Sequence, residues 1–324
     1  MSHQVKPNFF IVGAPKCGTT AMFSYLSRHP EVFVPRKEVN YFCDDLTFRH
    51  PAGLFPYTGG IDDYLANFSG WSGQKRIGEG SVWYLYSSRA AGNIRNLCPD
   101  ALIIAMIRNP VDMIYSLHSQ LLIEGDENID DFESALAAEA DRKQGRRNPR
   151  TDQMAGPLEG LWYTEVGMYS HQIHRYHDIF GKERVKVIVY DEFRAATPRI
   201  YSDVLDFLGV RDISPQHFDI VNARREVRNR QLWWFMKFGP LGLRRVWRAT
   251  LPARVRGAAL RWINQKNTVV RPPPPMKSAT RTYLQDLFRP EVERLSALLD
   301  RDLMPWVNTA DGRLPETTEE RHRA

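Results

Sequence analysis

Gly13 and Gly18 bracket Ala14, Pro15, Lys16 and Cys17, and Thr19 and Thr20 follow. A G-x-x-x-x-G spacing that leaves a strand and opens a helix wraps backbone N–H groups around a phosphate. The context fits, because an apolar run, 8–12 (NFFIV), precedes the loop and helical spacing over 21–28 (AMFSYLSR) follows it. A magnesium-nucleotide loop would place lysine directly after the second glycine. Here Thr19 stands there, and the lysine is Lys16, inside the loop. A nucleotidase would also carry a metal-holding Asp after a later apolar strand, but the run 101–107 (ALIIAMI) ends in Arg108. A guanidinium grips phosphate through a planar fork. Ser116 lies eight residues further on, on the second turn of an expected helix, so both side chains can face one phosphate. These residues describe a site for a phosphorylated nucleotide held by cations and amides, without a metal. The plain alternative is a glycine turn with no ligand.

Alternating strands and helices must position these groups. A second unit reads as strand 101–107, turn 108–110 and helix 111–123, opened by Pro110. A third reads as strand 185–190 (VKVIVY) and helix 198–208. This alternation predicts an α/β fold: a single P-loop-type, three-layer domain whose central parallel sheet is flanked by helices. Residues 76–78 read as another strand end, 145–160 as a loop, 272–275 as a rigid spacer and 291–299 as a late amphipathic helix. The domain is expected to span 1–308, with a basic, aromatic helical insertion at about 231–270. A polar, frayed tail is expected over 309–324.

Composition narrows the class. The 324 residues are 43% hydrophobic and 25% charged, which excludes a disordered or collagenous chain. No apolar run approaches the ~18 residues of a membrane span, and the run 9–12 falls short of a signal-peptide core of ~7–15 residues. Cys17, Cys43 and Cys98 are too few and too scattered for a disulfide framework or a zinc site, so a reducing, cytoplasmic setting is expected. The net charge of +6 is unevenly spread: residues 227–285 hold 13 Lys and Arg and no Asp or Glu. The remaining chain is net −7. Such a field attracts an anionic ligand, an acidic polymer or a lipid surface, and its plain reading is a solvated basic helix pair. Arginines mixed with aromatics over 231–262 also fit peripheral membrane contact.

Residues 15–20 (PKCGTT) resemble the 5′-phosphosulfate loop of sulfotransferases that use 3′-phosphoadenosine-5′-phosphosulfate (PAPS). Further likenesses follow in order. Residues 36–42 (RKEVNYF) resemble the family's K-E-x-x-[FY]-F segment, and 78–85 (GEGSVWYL) its G-E-K-[ST]-P-x-Y-L segment. Residues 108–116 (RNPVDMIYS) resemble its 3′-phosphate motif, 190–193 (YDEF) a strand end, and 290–306 its closing helix and Leu-x-x-Trp. The likeness runs from about 9 to 306 and is of bacterial type, resembling the carbohydrate and heparan sulfotransferase branch.

The resemblance implies PAPS as sulfuryl donor, adenosine 3′,5′-bisphosphate as product, and no metal. It assigns cofactor contacts to Lys16, Cys17, Gly18, Thr19, Thr20, Arg108, Ser116, Tyr190 and, in a basic loop over 222–230, Arg228. Lys16 would also be catalytic, meeting charge on the leaving phosphate. Glu79 is the expected base, projecting into the cleft from a strand end, with His118 as rival. Gly80 departs from the family, where lysine often follows the glutamate, and Lys37 is the expected replacement cation. His171, His174 and His177 share a helix face but have no completing carboxylate or thiol. The aromatic clusters 161–163 and 232–238 are acceptor walls or core. The acceptor is a small molecule, a glycan or a lipid-linked glycan presenting a hydroxyl or an amine, and no nucleic-acid partner is expected. A P-loop kinase or NTPase, and a non-enzymatic anion- or nucleotide-binding protein, are the competing classes.

Overall fold

A computed structural model describes residues 5–48, 59–149, 154, 156–213, 215, 217–218, 225–227, 268–270 and 275–314. Five strands form one sheet: β1 (Phe9–Gly13), β2 (Val32–Phe33), β3 (Arg76–Gly80), β4 (Leu102–Ile107) and β5 (Val185–Val189), in the order β2-β3-β1-β4-β5. Every neighbouring pair is parallel. β1 is buried along its whole length and β4 along all but its first residue, which is why both read as unbroken apolar runs. Twelve helices surround the sheet among the described residues. The first ten are α1 (Thr19–Leu26), α2 (Ile61–Ala66), α3 (Ala90–Leu97), α4 (Pro110–Glu124), α5 (Phe132–Ala137), α6 (Glu139–Lys143), α7 (Tyr163–Val166), α8 (Tyr169–Phe180), α9 (Tyr190–Ala195) and α10 (Thr197–Leu208). The last two are α11 (Ser278–Leu299) and α12 (Pro305–Asn308). The expected α/β architecture with a helix-flanked parallel sheet is therefore present.

Local chemistry sets the element ends nearest the site. Pro110 occupies the first turn of α4, Asn109 caps it by accepting from the Val111 N–H, and Gly125 closes it in the left-handed region. β3 runs through Gly78 and Gly80 rather than ending at 78. Gly78 is there because a Cβ would stand 2.1 Å from the Phe9 ring on β1.

Three expectations change. Tyr190 leaves the strand and opens α9. The late helix begins at Ser278, not 291, and passes through Pro290. Leu284, Phe288, Val292 and Leu295 form one buried stripe along it, and that packing outweighs the proline's penalty. The chain after Trp306 is docked as far as 314: the Asn109 side-chain amide donates to the Trp306 and Gly312 carbonyls at 3.2 and 2.8 Å. The expected insertion lies outside the described residues except at its end. There β7 (Thr268–Val270) pairs antiparallel with β6 (Arg225–Val227), setting Val227 opposite Thr268.

Candidate active site

The loop 13–18 leaves the C-terminal end of β1, and Gly18 caps α1 with φ 87° and no side-chain hydrogen bond. No acidic residue occupies the first turn of α1, so its amides and dipole are open to an anion. Lys16 adopts a left-handed conformation, φ 62°, within the loop. The Tyr190 ring packs against Gly18, 3.1 Å from where a Cβ would stand, and the Arg108 guanidinium lies 5.0 Å from the centre of the same ring. The loop, the end of β4 and the start of α9 thus meet at one place. Arg108 faces Asp112 at 3.9 Å, and Ser116 stands one turn beyond Asp112, so 108, 112 and 116 lie along one line. Arg281 of α11 takes up the other side of Asp112 at 2.8 Å, leaving Arg108 with only a long contact to that carboxylate. Cys17 is fully buried, its sulfur 4.0 Å from the Tyr169 hydroxyl; burial pushes its thiol up to about 12, which leaves it a packing residue. Among the described residues no three His, Cys, Asp or Glu side chains gather where they could hold a metal ion.

The carboxylates are arranged differently from expectation. Glu79 does not project into a cleft. It is 1% exposed, and its oxygens accept from the hydroxyls of Ser81 (2.6 Å), Tyr64 (2.7 Å) and Tyr84 (2.8 Å). The strand face decides this: Glu79 sits opposite Phe10 in the β1–β3 register and shares Phe10's buried environment. Burial raises its pKa from 4.5 to about 7 against the three hydroxyl donors. The partly exposed carboxylate at this edge is Glu38, whose side chain is 29% exposed. Its N–H donates to the Gly80 carbonyl at 2.7 Å, and its Oε2 accepts from the Val82 N–H at 3.1 Å. Lys37 runs beside Gly80 as a parallel bridge and pairs with Glu38 through its ammonium. Lys37 therefore lies beside position 80, where the family often carries a lysine.

The sulfotransferase domain family matches residues 6–229, which include the loop, both carboxylates and Arg108. This chain belongs to the sulfotransferase family. It is similar over 93% of its length, at 30% identity and a TM-score of 0.69, to the crystal structure of a sulfotransferase from Alicyclobacillus acidocaldarius, of which it covers 99%. It is 26% identical over 216 residues to heparan sulfate glucosamine 3-O-sulfotransferase 6 of Mus musculus, covering 65% of this chain and 55% of that protein. It is 22% identical over 354 residues to human carbohydrate sulfotransferase 15, covering 94% of this chain and 55% of that protein. Over 110 residues it is 30% identical to membrane-associated sulfotransferase kil1 of Dictyostelium discoideum, covering 33% of this chain and 21% of that protein. The chain spans about half, or less, of the length of these curated relatives. No helix among its described residues is long and apolar enough to cross a membrane.

Other groups of this chain take quieter places. His118 is buried and donates from Nε2 to the Ile129 carbonyl at 2.9 Å, between the Phe132 and Tyr163 rings; burial holds its pKa below the usual value. His174 pairs with Asp178 at 2.7 Å. The first aromatic cluster divides: Leu161 and Tyr163 are core, whereas Trp162 lines a cavity of about 500 Å³ with Asp45, Tyr86, Glu159, His171 and Arg175. Met168 also lines this cavity, one residue from Tyr169 beside Cys17. Residues 228–230, with Arg228, and the cluster 232–238 lie outside the described residues. Sequence reasoning gave no role to Glu38, although it stands inside a quoted motif. Nor did it see Tyr64 and Tyr84, whose link to Glu79 exists only in three dimensions.

Proposed function

We propose that this sulfotransferase moves the sulfuryl group of PAPS to a hydroxyl, or an amine, of a carbohydrate or lipid-linked glycan acceptor. One observation carries the reading: the loop 13–20, Arg108 and the Tyr190 ring converge at the C-terminal ends of β1 and β4. The residues fit the donor. The α1 N-terminus has neither a side-chain cap nor an acidic first turn, which leaves its amides for a phosphate. Lys16, Gly18, Thr19 and Thr20 would hold the 5′ side, and Arg108 with Ser116 the 3′-phosphate, with Tyr190 packed between the two groups. When bound, PAPS supplies an already activated sulfuryl group.

The chain's own residues then orient, deprotonate and neutralise. Lys16 neutralises charge that grows on the departing phosphate oxygen. Glu38 is assigned as the base that takes the acceptor's proton, because it is the partly exposed carboxylate beside the end of β3, whereas Glu79 is buried. Lys37 supplies the second cation. Glu79 is closed off by its three hydroxyls and is given no proton transfer. The acceptor oxygen forms the new S–O bond, the S–O bond to phosphate breaks, and the acceptor's proton goes to Glu38. The nearby cavity has the Tyr86 and Trp162 rings for a sugar face and Asp45, Glu159 and Arg175 for its hydroxyls. The relatives named for heparan sulfate and carbohydrate support that acceptor class.

Isothermal calorimetry tests the donor half. Adenosine 3′,5′-bisphosphate is expected to bind with the same affinity before and after EDTA treatment, since amides and cations take both phosphates. A large loss of affinity on chelation would sink the assignment. A screen of glycans, lipid-linked glycans, amines and phenols with radiolabelled PAPS, read by product mass shift, tests the acceptor half.

A further inference from the structure

The segment carrying Glu38 has an unusual backbone. Glu38 and Asn40 both adopt left-handed conformations, φ 59° and 55°, and neither is glycine. Such conformations persist only where the surroundings over-determine them. Glu38 is held by the Gly80 carbonyl and the Val82 N–H, and the stretch after it is held by two side-chain hydroxyls. The Asn40 N–H donates to the Ser81 hydroxyl at 3.0 Å, and the Tyr41 N–H to the Tyr84 hydroxyl at 2.9 Å. The Phe42 N–H reaches the same Tyr84 hydroxyl at 3.4 Å. Both hydroxyls hand their own protons to Oε1 of Glu79, at 2.6 and 2.8 Å. Oε2 of Glu79 is held by Tyr64, whose ring stacks on Tyr41 with centroids 4.5 Å apart. A single buried carboxylate thus fixes the direction of the two hydroxyls that accept from the strained backbone. An apolar side chain at 79 would leave those hydroxyls free to turn away.

We infer that Glu79 is a positioning residue: through the Ser81 and Tyr84 hydroxyls it holds the backbone of 38–42 in the conformation that presents Glu38 to the acceptor. The inference rests on Glu38 as the base, and it assigns no proton transfer to Glu79. It gives the conspicuous Gly-Glu-Gly of β3 a purpose that burial otherwise leaves without one. The two glycines let β3 run tightly against Phe9 and Phe23, and the glutamate between them anchors the neighbouring segment.

Hydrogen exchange on the protein with bound adenosine 3′,5′-bisphosphate reads the segment without any acceptor. In Glu79→Gln the Asn40 and Tyr41 amides are expected to exchange about tenfold or more faster, while β1 and β4 amides keep their protection. Tyr84→Phe, which leaves Glu79 in place but breaks one relay, should loosen Tyr41 in the same way; it decides the matter if Glu79→Gln does not fold. Unchanged exchange at these amides in the folded variants overturns the inference. Turnover supplies the second arm. Glu79→Gln is expected to lower kcat by about 10-fold to 100-fold, as a small misplacement of a reacting group does, with the donor KM unchanged. In a Glu38→Gln background the same substitution should cost nothing further. An equal loss in both backgrounds would show that Glu79 acts independently of Glu38 and would refute the inference. A Glu38→Gln variant with wild-type turnover would instead overturn the base assignment, and the exchange measurement would still decide whether Glu79 holds the segment.

Discussion

Arg108 and Glu38 carry the sharpest consequences at the scale of single residues. Arg108 has one long contact to Asp112 and one aromatic face beneath it, and 25% of its side chain remains exposed. In the proposed site its remaining donors would bind the 3′-phosphate, and charge-assisted bonds of this kind contribute roughly 1.5–3 kcal/mol. Arg108→Ala should therefore weaken adenosine 3′,5′-bisphosphate binding about tenfold or more, and Ser116→Ala by less. Calorimetry measures both, and unchanged dissociation constants would remove these residues from the site. Glu38→Gln keeps the Val82 hydrogen bond available but cannot take a proton. Its turnover should fall by roughly 10²–10⁴ with bisphosphate affinity little changed. The loss should shrink for an acidic phenol acceptor, which ionises without help. A comparable loss on His118→Ala would favour the buried histidine instead and contradict its placement against Ile129. The loop was legible from the sequence because its chemistry is contiguous: Gly13, Lys16, Gly18 and Thr19 are one short stretch of chain. The base was not, because the sequence shows two glutamates in two motifs but not which of them a strand face buries.

At the scale of elements, β3 shows why. Gly78 and Gly80 look like a strand end in one dimension, yet the missing Cβ atoms let β3 pack against Phe9 and Phe23 and turn Glu79 inward. β2 has only two residues, too few for any periodicity to register. α11 was foreshortened because Pro290 resembles a boundary, and its buried stripe of Leu284, Phe288, Val292 and Leu295 became decisive only once α4 and α8 were packed beside it. The inward carboxyl of β3 also makes stability depend on pH. Burial raises the Glu79 pKa from 4.5 to about 7, so the folded chain holds this proton more tightly than the unfolded one. Its contribution is fully present below about pH 4.5 and is lost as pH rises through about 7. Around Glu79, Tyr64, Tyr84 and Cys43 are pushed well above their usual values and Cys98 to about 12, so they stay neutral across this window. Glu38 is the other carboxylate acting on it. Urea unfolding should show the wild type losing up to about 3 kcal/mol relative to Glu79→Gln between about pH 5 and pH 8. Parallel pH profiles for the two proteins would contradict the raised value.

The whole molecule separates its charge from its chemistry. The Arg- and Lys-rich stretch reverses the sign of the chain, yet the phosphate loop, Arg108 and both carboxylates lie outside it. Composition announced this stretch plainly but could not say where it attaches. The β6–β7 pairing does: Val227 opposite Thr268 brings the two ends of the intervening chain side by side, so that chain leaves and re-enters at one point. Residues 231–265 contain seven Lys and Arg and no Asp or Glu, so replacing them with a short Gly-Ser connection takes the net charge from +6 to −1. Arg228 and both strands remain. If the stretch serves as a peripheral membrane contact, each Lys or Arg held near an anionic surface contributes about 1 kcal/mol. Loss of seven should then reduce binding to vesicles rich in phosphatidylserine by at least roughly a hundredfold. The wild-type binding should itself fall steeply with added salt, because the attraction is screened beyond about 10 Å at 0.1 M. Calorimetric binding of adenosine 3′,5′-bisphosphate should be the same in both proteins, since the loop and Arg108 are untouched. Co-sedimentation with vesicles of graded charge checks the first part, and equal partition of the wild type and the shortened chain would show that the basic stretch does not face a lipid surface. A shortened chain that keeps vesicle binding but loses the bisphosphate would place the stretch over the donor site instead, making its positive field part of cofactor capture.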